Sequence, residues 1–269
     1  MKRHPVINSV RLVLLFLVLP SLICCAHNPF SDEGMRPTPK SSQEAELIAL
    51  CLWGQLFPPD DFVERVQNDL ASIRSAYGGE IPAINHITFV PPWVPGELLV
   101  GFDDATLKEV ANGTYHGNDN AWDKLNKQFE AEIDTTSLKL GGSSVKLHFK
   151  EKLHPCRLIE DFYRQAFLPG IKYIQPNYIY GDSPQIYARK TGDKISYLFR
   201  NAWGDCPAGC INSEYWYFVS DGTKPVFVGY FDRQHSQFPN WWHEAEQCMN
   251  LYIEWAKCPK WDVDRAIET

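Results

Sequence analysis

The chain has 269 residues and a formal net charge of -7 at neutral pH, a balance that excludes broad electrostatic affinity for nucleic acid. Its 44% hydrophobic and 22% charged content is that of a globular protein with room for a processing segment and one or two domains. Nine Trp and twelve Tyr predict large core and cross-strand contacts, with an exposed recognition face as the alternative.

Lys2, Arg3 and Arg11 lead into the apolar run Leu12–Leu19, which Pro20 breaks. That length suits the apolar region of a signal peptide and is too short to span a bilayer. Leu22-Ile23-Cys24-Cys25 resembles a bacterial lipoprotein box, so residues 1–25 are expected to be a signal peptide with Cys25 as the lipidated residue. Modification at Cys24 would place Ile23 where a small side chain is expected, and an ordinary cleaved secretory signal is the other reading. In each case the mature protein is exported, anchored to the cell envelope by lipid or secreted in soluble form. Residues 26–42 read as a flexible tether rich in Pro, Ser and charge.

Residues 43–83 are expected to form a helix pair. In the first, Glu44–Leu56, Leu47, Ile48, Cys51 and Leu52 lie close to one face before Pro58-Pro59. In the second, capped by Asp60 or Asp61, Phe62, Val66, Leu70 and Ile73 repeat at helical spacing up to Gly78-Gly79. Such a pair cannot bury its faces alone and should pack on the domain that follows. Ile87–Val90 reads as a short strand.

Residues 84–182 give strand, helix, strand, strand, helix, strand. Leu98, Val100 and Phe102 share a strand face; Asp119 or Asn120 caps a helix with Trp122, Leu125 and Phe129. Asp103-Asp104 reads as a pair of cap or turn carboxylates. Ile133–Leu140 reads as β, Gly141-Gly142 as a turn, and Val145–Lys150 as a strictly alternating strand. Pro155 opens a helix with Leu158, Ile159, Phe162, Tyr163, Ala166 and Phe167 on one stripe. Pro169-Gly170 ends it before the strand Ile171–Ile174. The fold class is therefore α+β: a ferredoxin-like split βαβ sandwich with an N-terminal helix pair, a C-terminal antiparallel β extension and a C-terminal helix.

Two stretches of this segment, Pro95–Phe102 (PGELLVGF) and Pro169–Asp182 (PGIKYIQPNYIYGD), resemble the propeptide domain of subtilisin-type proteases. The resemblance covers about a third of the chain. It implies a ferredoxin-like folding helper and inhibitor whose C-terminal tail enters the protease cleft. The contact tail would be Gln175, Pro176, Asn177, Tyr178, Ile179 and Tyr180, running on to Asp182. The residues after Asp182 carry none of the Asp-x-Gly, His-Gly-Thr and Gly-Thr-Ser-Met-Ala blocks of such proteases, so a binding module rather than a zymogen is expected. The implied partner is a secreted subtilisin-like protease. The chain's continuation beyond the tail departs from the family pattern.

Residues 183–232 read as a disulfide-stapled antiparallel extension. Ile195, Tyr197 and Phe199 alternate with Ser196, Leu198 and Arg200, and Tyr215–Val219 and Val226–Tyr230 are joined through Asp221-Gly222. Residues 233–269 hold a helix, Trp241–Lys257, with Trp242, Ala245, Cys248, Met249, Tyr252 and Trp255 on its apolar stripe. Export makes Cys51, Cys156, Cys206, Cys210, Cys248 and Cys258 disulfide candidates. Cys206 and Cys210 are expected to pair across the bend of Pro207 and Gly209, and Cys248 with Cys258 is a second pairing.

Chemistry-bearing patterns are sparse. CPAGC is one residue too long for a two-cysteine redox motif. His243-Glu244-Ala245-Glu246-Gln247 has Gln247 where a zinc-protease motif needs its second His; His243 and Glu246, with His235, would be the remaining ligands. Ser143-Ser144 lies near His148 and His154 in sequence, but no nucleophile elbow, phosphate loop or dinucleotide fingerprint occurs. No catalytic residue, metal site or cofactor is expected. A structural envelope lipoprotein without a protease, or an enzyme whose site gathers distant residues, are the competing readings.

Overall fold

The computed structural model describes residues 42–166, 168–234, 237–258 and 261–262. The segment expected to be a signal peptide with Cys25, the expected tether up to residue 41, Phe167, His235 and residues 263–269 lie outside the described residues. The chain is α+β, with two antiparallel sheets.

Ser42 opens helix α1, Gln43–Trp53, by accepting the Ala45 amide on its hydroxyl, and Gly54 closes it in the left-handed region. Helix α2, Asp60–Tyr77, starts at Pro59 with Asp60 and Asp61 in its first turn and stops at Gly78. Ile87–Val90 is not a strand. Its amides are claimed by side chains instead: Phe89 donates to Glu44, and Val90 donates to Gln185.

The first sheet begins with β1, Trp93–Phe102. An unforeseen helix α3, Asp104–Ala111, follows because the Asp103 carboxylate caps it through the Thr106 amide at 2.7 Å. Helix α4, Ala121–Gln128, carries the Trp122 and Leu125 stripe. The expected strand Ile133–Leu140 is divided: β2 is Ala131–Asp134, and α5, Thr136–Lys139, is a helical turn. Asp134 ends the strand by accepting the Thr136 amide at 2.8 Å, a local bond that competes with sheet pairing. Strand β3, Ser144–Phe149, alternates as its sequence demands. Helix α6, Pro155–Leu158, continues into a wider π turn over Ile159–Tyr163, and β4 runs Ile171–Tyr178.

The second sheet is a meander of β5 Gln185–Thr191, β6 Lys194–Trp203, β7 Asn212–Ser220 and β8 Val226–Asp232. Helix α7, Trp242–Ala256, and the two-residue strand β9, Trp261–Asp262, complete the chain. The first sheet has the order β2-β3-β1-β4-β9, all neighbours antiparallel.

Leu98, Val100, Phe102, Val145, Leu147, Ile171 and Ile174 bury one face of the first sheet against α3, α4, α6 and the π turn; the other face is open. The second sheet is covered on both faces. Ile195, Tyr197, Phe199, Trp216 and Phe218 meet α1 and α2, whereas Tyr187, Leu198, Tyr215 and Tyr217 meet Trp242, Ala245 and Cys248 of α7. This three-layer unit explains the unbroken apolar run of β7, which a one-faced sheet would not need. It also corrects the expected packing: the helix pair covers the second sheet, far along the chain, and not the first.

Strand β1 bridges the two cores. Trp93 is buried among α1 and α2, five residues before Leu98 enters the other core. Gly96 (φ 69°) makes that turn-over, in a spot where a Cβ would lie 2.8 Å from the Glu151 carbonyl. Arg157 reinforces the junction by donating to the Gly54 carbonyl at 2.7 Å, as does the Lys152–Glu46 ion pair at 3.1 Å.

Candidate functional site

The resemblance to propeptides placed a contact tail at Gln175–Tyr180, and loop chemistry singled out Cys206 and Cys210. The fold brings the end of the one against the other. Gly170 (φ 81°) delivers the chain into β4, where Gln175 pairs with Leu99, Pro176 with Leu98 and Tyr178 with Trp93. On the outer side, β9 pairs with Tyr173 and Ile174. Gln175–Tyr178 is thus built into a sheet and is not a free tail. Ile179 leaves the strand with its amide on the Pro92 carbonyl at 3.1 Å. Tyr180 then stands 88% exposed.

Two residues on, Asp182 is held from three directions. The buried Arg200 guanidinium grips both carboxylate oxygens, one at 2.8 Å; the Cys210 amide donates to the carboxylate at 2.9 Å; and the Asp182 amide donates to the Cys206 carbonyl at 3.3 Å. Cys206 and Cys210 are disulfide-bonded, so the loop that receives Asp182 is itself closed. Asp182 therefore satisfies the Cys210 amide. Hydrogen bonds from Arg200 hold the Asp182 carboxyl below the usual carboxylate range, aided by the Cys210 amide and working against its partial burial.

Trp203 and Ile211 flank the closed loop, Ile211 72% exposed, and Ile179 is exposed on the other side of the clamp. Large apolar side chains are thus displayed by backbone fixed through a bidentate ion pair and a disulfide. Such a surface can bind another protein with little ordering cost. Arg200 was the residue hardest to foresee. Its place in the alternation of β6 reads as solvent-facing, and only the fully aromatic neighbours of β7 hint that this face is covered.

The open face of the first sheet carries a polar row. Glu97 of β1 accepts from Asn177 at 2.6 Å and pairs with His148 at 3.1 Å and Lys146 at 3.7 Å, while Asp134 lies 3.9 Å beyond His148. Hydrogen bonds from Thr136 lower the Asp134 carboxyl, with His148 and Lys146 adding to the effect.

The fold disperses the remaining candidates. His148 faces that polar row, whereas His154 is buried with its ring 5.0 Å from Trp93, so neither completes a nucleophilic set with Ser143 or Ser144. Burial, with Arg157 nearby, pushes the His154 imidazole down to about 4. His243 and Glu246 lie exposed on α7. No group of three or more His, Cys, Asp or Glu among the described residues is placed to hold a metal ion. The pairing of Cys248 with Cys258 is corrected: Cys258 is bonded to Cys156, and Cys248 is a buried free thiol under α7 that burial pushes up to about 12. The stripe of α7 points Cys248 at the second sheet, while Cys258, past the helix end, reaches the first. Cys51 is also free and buried. No helix among the described residues is long and apolar enough to cross a membrane. In comparisons with known proteins, no family model, no curated protein and no solved structure matches the chain.

Proposed function

We propose that this chain is an exported protein-binding module that engages a subtilisin-like protease through the clamped segment Ile179–Asp182 and the disulfide loop beside it. The strand order β2-β3-β1-β4, with helices between β1 and β2 and between β3 and β4 on one face, supports reading residues 84–182 as a ferredoxin-like sandwich of the propeptide type. The observation that carries the binding reading is Tyr180, an almost fully exposed aromatic two residues from a buried bidentate clamp. A propeptide offers its cleft a free end. Here the equivalent strand is paired through Tyr178, so the short exposed turn after it takes that role, and the open sheet face with Glu97 and His148 rests against the enzyme's surface. The bonded pairs Cys156–Cys258 and Cys206–Cys210 fit an oxidising, extracytoplasmic setting. Lipid attachment at Cys25 remains part of the proposal, and Cys25→Ser should abolish incorporation of labelled fatty acid.

Titrating the purified mature chain into a panel of subtilisins tests the binding reading. Inhibition at micromolar concentration is expected, weakened by Tyr180→Asp roughly 30-fold or more, the ~2 kcal/mol of an aromatic hot spot. Protease activity unchanged by the wild-type chain would remove the inhibitor function.

A further inference from the structure

The connection from β6 to β7 runs from Gly204 to Ile211, beyond the last sheet pair, Trp203 with Asn212. Its regular structure is one short turn, Cys206–Ala208. Gly204 (φ 103°) and Gly209 (φ 113°) stand on either side of that turn in backbone positions that favour glycine and leave the connection two pivots. Two ties hold it against them. The Cys206–Cys210 bond closes the loop on itself. Asp182 then fastens it to the end of the first sheet, accepting the Cys210 amide at 2.9 Å and donating its own amide to the Cys206 carbonyl at 3.3 Å. Both cysteines therefore contact the residue that fixes the Tyr180 turn. Ile211 folds back over Gly204, where a Cβ would lie 3.2 Å from its own. The two disulfides differ in access. Cys206 and Cys210 are half-buried among exposed Asp205, Ala208, Gly209 and Ile211, whereas the bond from Cys156 ends on buried Cys258. The free thiols Cys51 and Cys248 are buried in the cores, so neither reaches the loop to exchange with it.

We infer that the Cys206–Cys210 bond is a redox latch on the Tyr180 surface, opened by an external dithiol reductant while Cys156–Cys258 stays closed. A thiolate of the dithiol attacks one sulfur of the loop, forming a mixed disulfide and expelling the other cysteine as a thiolate that takes a proton. The second thiol of the reductant then closes on the first. Cys206 and Cys210 are left as thiols and the dithiol as a disulfide, two electrons having passed to the chain. Opening removes the constraint on the pivots at Gly204 and Gly209, so the Cys210 amide and the Cys206 carbonyl leave Asp182. The Asp182 carboxylate keeps Arg200, and the second sheet keeps its order. What is lost is the fixed backbone beneath Trp203, Ile211 and the turn that carries Tyr180. An oxidising setting thus displays the surface, and a reducing one withdraws it. The effect on a protease rests on the binding function proposed above; the release of the loop does not.

Graded dithiothreitol on the mature chain, with iodoacetamide trapping and peptide mass spectrometry, reads which bond opens. Cys206 and Cys210 should be trapped at roughly tenfold lower dithiothreitol than Cys156 and Cys258. In that selectively reduced chain the Asp182 and Cys210 amides should exchange at least about tenfold faster by NMR, with an unchanged circular-dichroism spectrum. Reoxidation should restore slow exchange. Cys206→Ser with Cys210→Ser should exchange fast from the start and ignore the reductant. Against a subtilisin that the oxidised chain inhibits, selective reduction should weaken inhibition about tenfold. A chain that inhibits no protease in either state removes the binding function, while the exchange measurement still decides the latch. Opening of both disulfides together, or selective opening that leaves the Asp182 and Cys210 amides slow, overturns the inference.

Discussion

Asp182 and Arg200 contribute unequally to stability, because they are unequally buried. Asp182→Ala strands a guanidinium that is only 9% exposed and should cost about 2–3 kcal/mol, the low end for a broken buried pair since Asp182 itself is partly solvated. Arg200→Met removes the charge that needs compensation, and should cost about 1 kcal/mol or less. Urea unfolding of the two variants checks that order. The pH dependence follows from the same residue. With its carboxyl lowered in the fold, Asp182 contributes stability above the unfolded value of about 3.9, lost as the pH falls through the folded value. Asp69 behaves oppositely. Burial raises its carboxyl, against hydrogen bonds from Ser220 and Tyr197 and the nearby Arg65, so its contribution is present at low pH and fades as it ionises. Asp69→Asn should therefore gain on the wild type as pH rises from about 4 to neutrality. Neither residue was legible as special in the sequence. Their partners lie 18 or more positions away, Arg200 for Asp182 and Tyr197 or Ser220 for Asp69.

Elements with a strong local period were legible: α2 from Phe62, Val66, Leu70 and Ile73, β3 from its strict alternation, α7 from its apolar stripe. Those decided by one side chain were not. Helix α3 depends on Asp103, and β2 ends where Asp134 turns back on Thr136. Strand β5 escaped because both of its faces are covered, by α1 and α2 on one side and α7 on the other, leaving no alternation to read. The long-range staple was equally invisible: the bond from Cys156 to Cys258 closes a span of 102 residues, whereas the one expected from the sequence, Cys206 to Cys210, closes a span of 4. Loop-closure entropy then predicts losses of about 4–5 and about 2 kcal/mol when each pair is replaced by serine. Thermal or urea unfolding distinguishes them, and the first should also loosen the segment after α7, whose Cys258 carbonyl accepts from Tyr178.

In the whole molecule, the first sheet is an insertion in a larger unit: α1 and α2 come before it, and the sheet they cover comes after it. The first sheet and its helices were largely readable because their core is local in sequence; the three-layer unit was not, because its halves are separated by that insertion. A chain ending at Asp182 would leave Leu47, Ile48, Val63, Val66, Leu70 and Ile73 without the sheet they pack on. It should show α1 and α2 unprotected in hydrogen exchange, and only the first sheet folded. The binding proposal depends on the insertion and the larger unit meeting at Asp182, where a strand of one is locked to a loop of the other. The most direct test is hydrogen exchange on the full mature chain with and without a subtilisin whose catalytic serine is alanine. Residues 179–182 and 203–211 should be slow to exchange in the free protein and become slower on adding the protease. Fast exchange in the free protein, or no added protection in these two segments, would contradict the account.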